Sequence, residues 1–382
     1  MADTTISQLT TVNALTANNF IPISDGTNTT KLGTDSLFGF RNRIINGDMR
    51  IDQRNNGAVV SLPAYTNTIP IAYPVDRWRV WNNTNGTCNT QQSTDAPAGY
   101  TNSTSITITL PDTELASNQY LVFWSRNEAN MFLDFKFGTQ FAKVFTVSFW
   151  VKSSLTGVFG GAIRNYNLGN TIYRSYPFSY IINNVNTWEY KTITIPGDTS
   201  SSWVNTQQQG VFDVLFSLGS GSTFTNVAGS WYGGNFINAT GSTSVIGVNG
   251  ATFNITGIQV EEGSTATPFE FRPYGLELSL CQRYFISGNP TAGPDRPAIC
   301  WLSPISPVNT TALANYLRGT VYFPNEMRTR LPVINAELHR YYTTTVAAAS
   351  GYQFIDSKSF TVYLDNATGP AYIVKYTADA EF

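Results

Sequence analysis

The chain has 382 residues, 13% of them charged and 14% aromatic, and a formal net charge of -2. That length predicts about two domains, and charge at roughly half the usual share, with abundant glycine and aromatics, predicts a β-rich protein full of turns. With no cluster of Lys or Arg and no apolar run of about 18 residues, neither nucleic-acid binding nor membrane insertion is expected.

The start, MADTTISQLTTVNALTANNF, lacks the basic and apolar regions of a secretory signal, which predicts synthesis in a cytoplasm. Within residues 1–39, FIPISDGTNTTKLGTDSL reads as an apolar alternation, a turn at Asp25-Gly26, a second, polar strand and Thr34 capping a brief helix. So short a segment cannot bury a core of its own and needs a partner surface, from another copy of the chain or from another protein.

From residue 40 to 272 short strands repeat: SITITL, QYLVFW, FTVSFWVKSS, SYPFSYII, WEYKTITI, GVFDVLFSL and ATFNITGIQV, separated by Gly, Asn and Pro turns. The pattern predicts an antiparallel sandwich. In FTVSFWVKSS, Phe145, Val147, Phe149 and Val151 share the core face, while Thr146, Ser148, Trp150 and Lys152 face water or a ligand. Tyr190, Thr192 and Thr194 stand opposite Lys191, Ile193 and Ile195, and Pro196-Gly197 stops that strand. Trp78 reads as a core or seam anchor, its neighbours Arg77 and Arg79 pairing with Asp76 or Asp48. FGGAIRNYN and YGGNF lack the ending of a phosphate loop and are turns.

The stretch TPFEFRPYGLELSLCQRYF changes character. Each residue before a proline is pushed to an extended conformation, and beyond Pro273 the four-residue spacing of Leu276, Leu280 and Tyr284 predicts a short helix starting near Tyr274. Leu276, Leu278 and Leu280 also alternate, which leaves a strand open. Residues 273–290 thus read as a connector, its helix packed on a partner chain or on both β domains. Residues 291–382 return to strands, RPAICWL, LRGTVYF, PVINAEL, KSFTVYL and AYIVKYTADAEF, as a smaller β domain, and LDNATGPAYIVKY signals a hairpin at its Gly-Pro turn.

Cys88, Cys281 and Cys300 are far apart with no metal-knuckle spacing and read as reduced, structural thiols. The sequons at Asn102 and Asn254 are by-products of Asn- and Thr-rich strands. The one histidine, His339, has no nucleophile signature beside it, and Glu261 and Glu262, adjacent on a strand, point to opposite faces and cannot share a substrate. No enzymatic activity is expected.

Three passages, NRIINGDMRIDQRNNG with AYPVDRWRV, TATPFEFRPYGLELSLCQRYF, and the ending YTADAEF, resemble virion proteins of tailed bacteriophages, especially the tail-fibre and receptor-binding type. TISQLTTVNALTANNFIPIS is similar to the attachment segment that opens many phage tail proteins. The resemblance implies a homotrimeric tail fibre in the virion tail, made in the host bacterial cytoplasm, that docks other tail or baseplate proteins through residues 1–39 and adsorbs to a host surface glycan or receptor. A head fibre, capsid decoration or tail adaptor touching only virion proteins is the alternative.

Within residues 40–272, NGDMRI and WEYKTITIPG resemble jelly-roll carbohydrate-binding modules. That implies an all-β chain: a jelly-roll β-sandwich, then a smaller C-terminal β-sandwich, with an N-terminal arm and a short helical connector. Trp188 matches the buried strand tryptophan of such modules. Their structural calcium would fall on Asn46, Gly47, Asp48, Glu261 and Glu262, an oxygen set of the kind Ca2+ takes, although Arg50 stands where the modules have Glu and Glu261-Glu262 where they have aspartates. Trp203, Trp231 and Tyr232, in Gly/Ser/Asn-rich loops, are the expected platform for a sugar ring, a subunit interface being the other use for such rings.

Overall fold

The structure is a computed structural model. It describes residues 20–24, 29–33, 40–165, 174–200, 203, 210–288, 300–304, 317–329, 331–340, 346–347, 351–353, 355–364 and 371–381. Thr34, the Asp25-Gly26 turn and the Gly369-Pro370 turn lie outside the described residues. The strands flanking the first turn, Phe20–Ser24 and Thr29–Gly33, pair antiparallel.

Two sheets make the main sandwich. One runs, in spatial order, Tyr232–Gly233, Arg174–Ile182, Gly157–Asn165, Gly210–Ser220, Tyr120–Glu128, Trp78–Asn82 and Ile71–Val75; the other runs Glu189–Ile195, Phe145–Ser153, Thr252–Glu262, Ser103–Leu110, Thr87–Ser93 and Val60–Leu62. The chain crosses repeatedly between them, and every sheet neighbour within them is antiparallel, which is the jelly-roll arrangement. All the strands expected between residues 40 and 272 are present.

Period-two patterning explains how the sheets meet. Phe145, Val147, Phe149 and Val151 are each 0% exposed; of the residues expected to face water, Trp150 and Lys152 are half-buried on the outer face, but Thr146 and Ser148 are buried. Trp78 fills the centre, stacked on Phe123 at 4.9 Å between ring centroids. A second, smaller cluster lies on the outside of the seven-stranded sheet, where Val122, Trp124, Ala162 and Leu215 are capped by Ile237 and Phe224. These caps come from the long loop before Thr252, which carries a parallel ribbon of Thr225–Asn226 with Asn238–Ala239.

The stretch after Pro273 is a helix, Tyr274–Gln282, which closes the strand alternative. Of the row four apart, Tyr284 is buried, Leu280 half-buried and Leu276 51% exposed, while Glu277 and Cys281 are buried. Glu277 takes the inward position because it accepts the backbone N–H of Asn46 and an ion pair from Arg272 at 3.1 Å, so the helix is held by charge as much as by apolar contact. Cys281 and Tyr284 add an apolar patch with Ile45 and Ile51.

Beyond the helix, the C-terminal unit has its own core of Ile286, Val321, Phe323, Met327, Ile334, Phe360, Val362, Ile373 and Tyr376. Its strand Cys300–Pro304 pairs first with Ala371–Asp379 and then, from Ser303, with Leu317–Tyr322, so one strand is shared by both layers of the smaller sandwich. Among the described residues, the two strands that flank the expected hairpin turn do not pair with each other. Ser359–Leu364 pairs with Leu317–Tyr322 and Gly351–Gln353, whereas Ala371–Asp379 pairs with Phe285–Gly288, Cys300–Pro304 and Val333–Arg340. Those partners come from elsewhere in the chain, which turn chemistry does not encode.

The two sandwiches meet through buried charge. Arg77, 1% exposed at its side chain, pairs with Glu381, lays its guanidinium 3.5 Å from the centre of the Tyr284 ring and donates to the carbonyl of Arg126. Arg54 pairs with Asp76 at 3.4 Å and Asp379 at 3.1 Å, and Arg283 with Glu128 at 3.1 Å. The expected pairing of Arg77 with Asp76 or Asp48 is therefore replaced: Asp76 serves Arg54, Asp48 serves Arg50, and Arg77 reaches the far end of the chain. Arg77 adopts φ 72°, and this left-handed turn aims it at the seam.

Candidate functional site

The residues expected to hold calcium do not form one oxygen cluster. The Asn46 carboxamide is fully used, donating to the carbonyls of Ile51 and Asp76 and accepting from Ile51 N–H. Gly47 serves close packing instead, since a Cβ there would lie 2.1 Å from the carbonyl oxygen of Ile258 and only glycine lets the opening segment reach the closing strand. Asp48 pairs with Arg50, and burial raises its carboxyl to about 6 against the pull of that guanidinium. Glu261 accepts from Gln259 and from Thr267 N–H and hydroxyl, while Glu262, on the other face, pairs with Lys143 at 2.6 Å. These oxygens already face protein donors and a guanidinium, so the set does not fit a calcium ion; among the described residues no group of three or more His, Cys, Asp or Glu could hold a metal.

The expected aromatic platform is partly assembled. Trp203 and Trp231 meet edge to face at 5.9 Å at the edge of the seven-stranded sheet, where Trp203 also packs on Phe137 at 4.6 Å and Trp231 on Tyr176 at 5.4 Å. Trp203 donates to Asp198 and Trp231 to the carbonyl of Pro196, so both rings are fixed against the core. Although burial works to raise its pKa, the bonds from Arg174 and Trp203 hold Asp198 below the usual carboxylate range. Tyr232 turns instead to Phe236 at 6.0 Å.

A larger aromatic surface lies on the outer face of the six-stranded sheet. Tyr190 and Trp150 are cross-strand neighbours with rings 5.3 Å apart, and the Trp150 indole N–H lies beside the Tyr100 hydroxyl oxygen, towards which it can donate. Tyr100 in turn touches Phe269 at 5.5 Å and Phe271 at 5.2 Å. Tyr190 is 42% and Phe271 52% exposed, so the band of rings is open to solvent.

Beside this band runs a polar row. Trp188 is not the buried strand tryptophan its resemblance implies: it precedes the strand, half-buried, donating to Asp95 at 3.2 Å with Lys152 over its ring at 5.4 Å. Lys152 pairs with Asp95 and holds that carboxyl below its ordinary range. Asn254, opposite Lys152 in the sheet and 7% exposed, keeps a buried Oδ1 without a hydrogen-bond partner among the described residues. Rings that offer flat faces, flanked by a carboxylate, an ammonium and carboxamides, can stack on apolar C–H faces while bonding hydroxyls. Alternation in FTVSFWVKSS had placed Trp150 and Lys152 outward; nothing local in Tyr100, Asp95 or Phe271 signals that they join them.

No family model matches the chain, and no curated protein matches it. Among solved structures, the enzymatically active domain of tailspike protein 4 of bacteriophage CBA120 is 11% identical over 58% of this chain and 21% of its own, with a TM-score of 0.28. The chain thus spans about a fifth of that structure's length. A family 11 carbohydrate-binding module from Clostridium thermocellum, in complex with a β-1,3-1,4-mixed-linked tetrasaccharide, is 14% identical over 55% of this chain and 99% of its own, with a TM-score of 0.26. The CBM22-1 xylan-binding domain of Paenibacillus barcinonensis Xyn10C is 10% identical over 56% of this chain and 99% of its own, also at 0.26. Likeness at this level says nothing about what the chain binds. No helix among the described residues is long and apolar enough to cross a membrane.

Proposed function

We propose that the chain is a non-enzymatic virion protein of a tailed phage, a homotrimeric tail fibre that adsorbs to a host surface glycan. The observation that supports glycan binding most directly is the row of Tyr190, Trp150 and Tyr100 on the outer face of the sheet, Tyr190 exposed and the other two half-buried, beside Asp95, Lys152 and Asn254. The Trp203–Trp231 pair is a secondary platform at the sheet edge, and residues 1–39 are the segment that docks to the rest of the tail. The phage assignment rests on the motif resemblance in the sequence.

Screening the purified full chain on an array of bacterial surface glycans, alongside Trp150→Ala, tests the reading. Binding that drops at least tenfold in Trp150→Ala, with unchanged circular dichroism and unchanged mass by light scattering, is the expected result. If Trp150→Ala instead breaks a trimer into monomers, the aromatic band is a contact between copies and the adsorption site lies elsewhere. Retained binding in Trp150→Ala with loss in Trp203→Ala would move the site to the sheet edge.

A further inference from the structure

We propose that the edge strand Glu189–Ile195 receives the hairpin of Phe20–Ser24 and Thr29–Gly33 from a neighbouring copy of the chain, which extends the six-stranded sheet across the contact. A strand at the edge of a sheet leaves a row of backbone N–H and C=O groups open, and folded proteins blunt such edges by shortness, proline or a bulge. Three of the four edges of the main sandwich are blunted in this way. Tyr232–Gly233 and Val60–Leu62 have two and three residues, and Ile71–Val75 carries Pro74 and a register shift between Ala72 and Val75.

Glu189–Ile195 is the exception. Its seven residues contain no proline and pair with Phe145–Ser153 in unbroken register, from Glu189 opposite Val151 to Ile195 opposite Phe145. Among the described residues no strand lies on its other side. Lys191, its one cation, does not guard it, because the ammonium is tied to Glu189 in the same strand at 2.6 Å. Tyr190, Thr192 and Thr194 are exposed along it.

The hairpin is the complementary piece. Among the described residues its two strands pair in unbroken register and join no third. Two strands alone are marginal in water, so the hairpin needs a sheet to extend. A proline cannot donate to a ladder, so Thr29–Gly33, which has none, offers the pairing edge rather than Phe20–Ser24 with its Pro22. A single chain leaves both the hairpin and the edge open, and a neighbouring copy closes both. The two surfaces differ, so the contact is head-to-tail and can close into a ring, as a trimer requires; the edge paired with its own copy would give a dimer instead. The residues before Phe20 are then left to hold the rest of the tail.

This inference rests on the homotrimer of the proposed function but not on glycan binding. Lys31→Cys and Thr192→Cys are combined in the full chain and treated with a short bismaleimide, beside the parent and each single variant. The expected result is covalent dimers and trimers on a denaturing gel in the double variant only, with a peptide joining positions 31 and 192 found by mass spectrometry. Light scattering separates the two readings: a monomeric parent ends both, whereas a trimeric parent whose double variant gives no link between 31 and 192 overturns this inference alone. A link that leaves the double variant at monomer size puts the hairpin on its own chain's edge and overturns it too. Cross-linking of Thr192→Cys by itself would show two edges facing each other, with the same consequence. Thr194→Cys takes the place of Thr192→Cys if circular dichroism shows the latter misfolded.

Discussion

Gly47 and Asp76 show how much a single position carries in this chain. Gly47 exists for the Ile258 carbonyl, a rigid neighbour that cannot swing aside. Gly47→Ala should therefore cost about 1–3 kcal/mol by overpacking, read as a lower midpoint in urea unfolding; an unchanged midpoint would mean the two segments part without loss. Asp76 is 0% exposed, and burial holds its proton up to about 7 despite Arg54 and Gln53, with Glu381 nearby adding to the rise. Its ordinary value is 3.8. As pH climbs from about 4 towards about 7 the unfolded chain releases this proton while the native chain keeps it, so Asp76 lowers stability over that window and adds no further slope above it. Asp48 acts in the same direction up to about 6. Asp76→Asn should flatten the fall in stability between about pH 4 and about pH 7, measured by chemical denaturation at each pH. The same slope in both proteins would place its cause elsewhere.

At the scale of elements, the helix Tyr274–Gln282 illustrates where periodicity succeeds and where it stops. The four-residue spacing predicted the helix correctly, but the buried face is chosen by Glu277, because Asn46 N–H and Arg272 need an acceptor inside. Arg272 and Glu277 are 6% and 3% exposed, so removing one leaves a buried charge alone. Glu277→Ala should destabilise the protein by about 3–5 kcal/mol, more than Leu276→Ala, whose side chain is half exposed. Equal losses for the two would contradict a charge-anchored helix. Strand pairing follows the same logic: alternation told which face of Phe145–Ser153 is core, but not that Ala371–Asp379 would turn away from the strand before it in sequence.

For the whole molecule, Glu381 is the residue that ties the two sandwiches together, because it meets both Arg77 and Arg54. Glu381→Ala strips the fully buried Arg77 of its ion pair and should weaken the seam by about 3 kcal/mol. Calorimetry is expected to resolve two unfolding transitions in the variant where the parent shows one; a single unshifted transition would mean that the apolar contact of Tyr284 and Phe285 suffices. The passages NRIINGDMRIDQR, VDRW, FRPYGLELSLCQRYF and YTADAEF, spread over the whole chain, converge on this seam. Their odd composition is that of a junction, which must be apolar enough to bury and charged enough to be specific.

The sequence by itself determined the all-β class, many strands of the main sandwich, the helix after Pro273 and the outward position of Trp150, because each is written in the spacing of neighbouring residues, at period two or near four; it missed Gly157–Asn165, where glycines that read as a turn sit in a strand paired on both sides. What only the tertiary structure decided was every long-range partner. Arg77 went to Glu381, Trp203 to Trp231, and Trp81 to Trp124. A buried charge or an indole N–H takes whichever partner the packed sheets bring within about 3 Å, and that neighbour is set by the crossing of strands many residues apart, not by any local pattern.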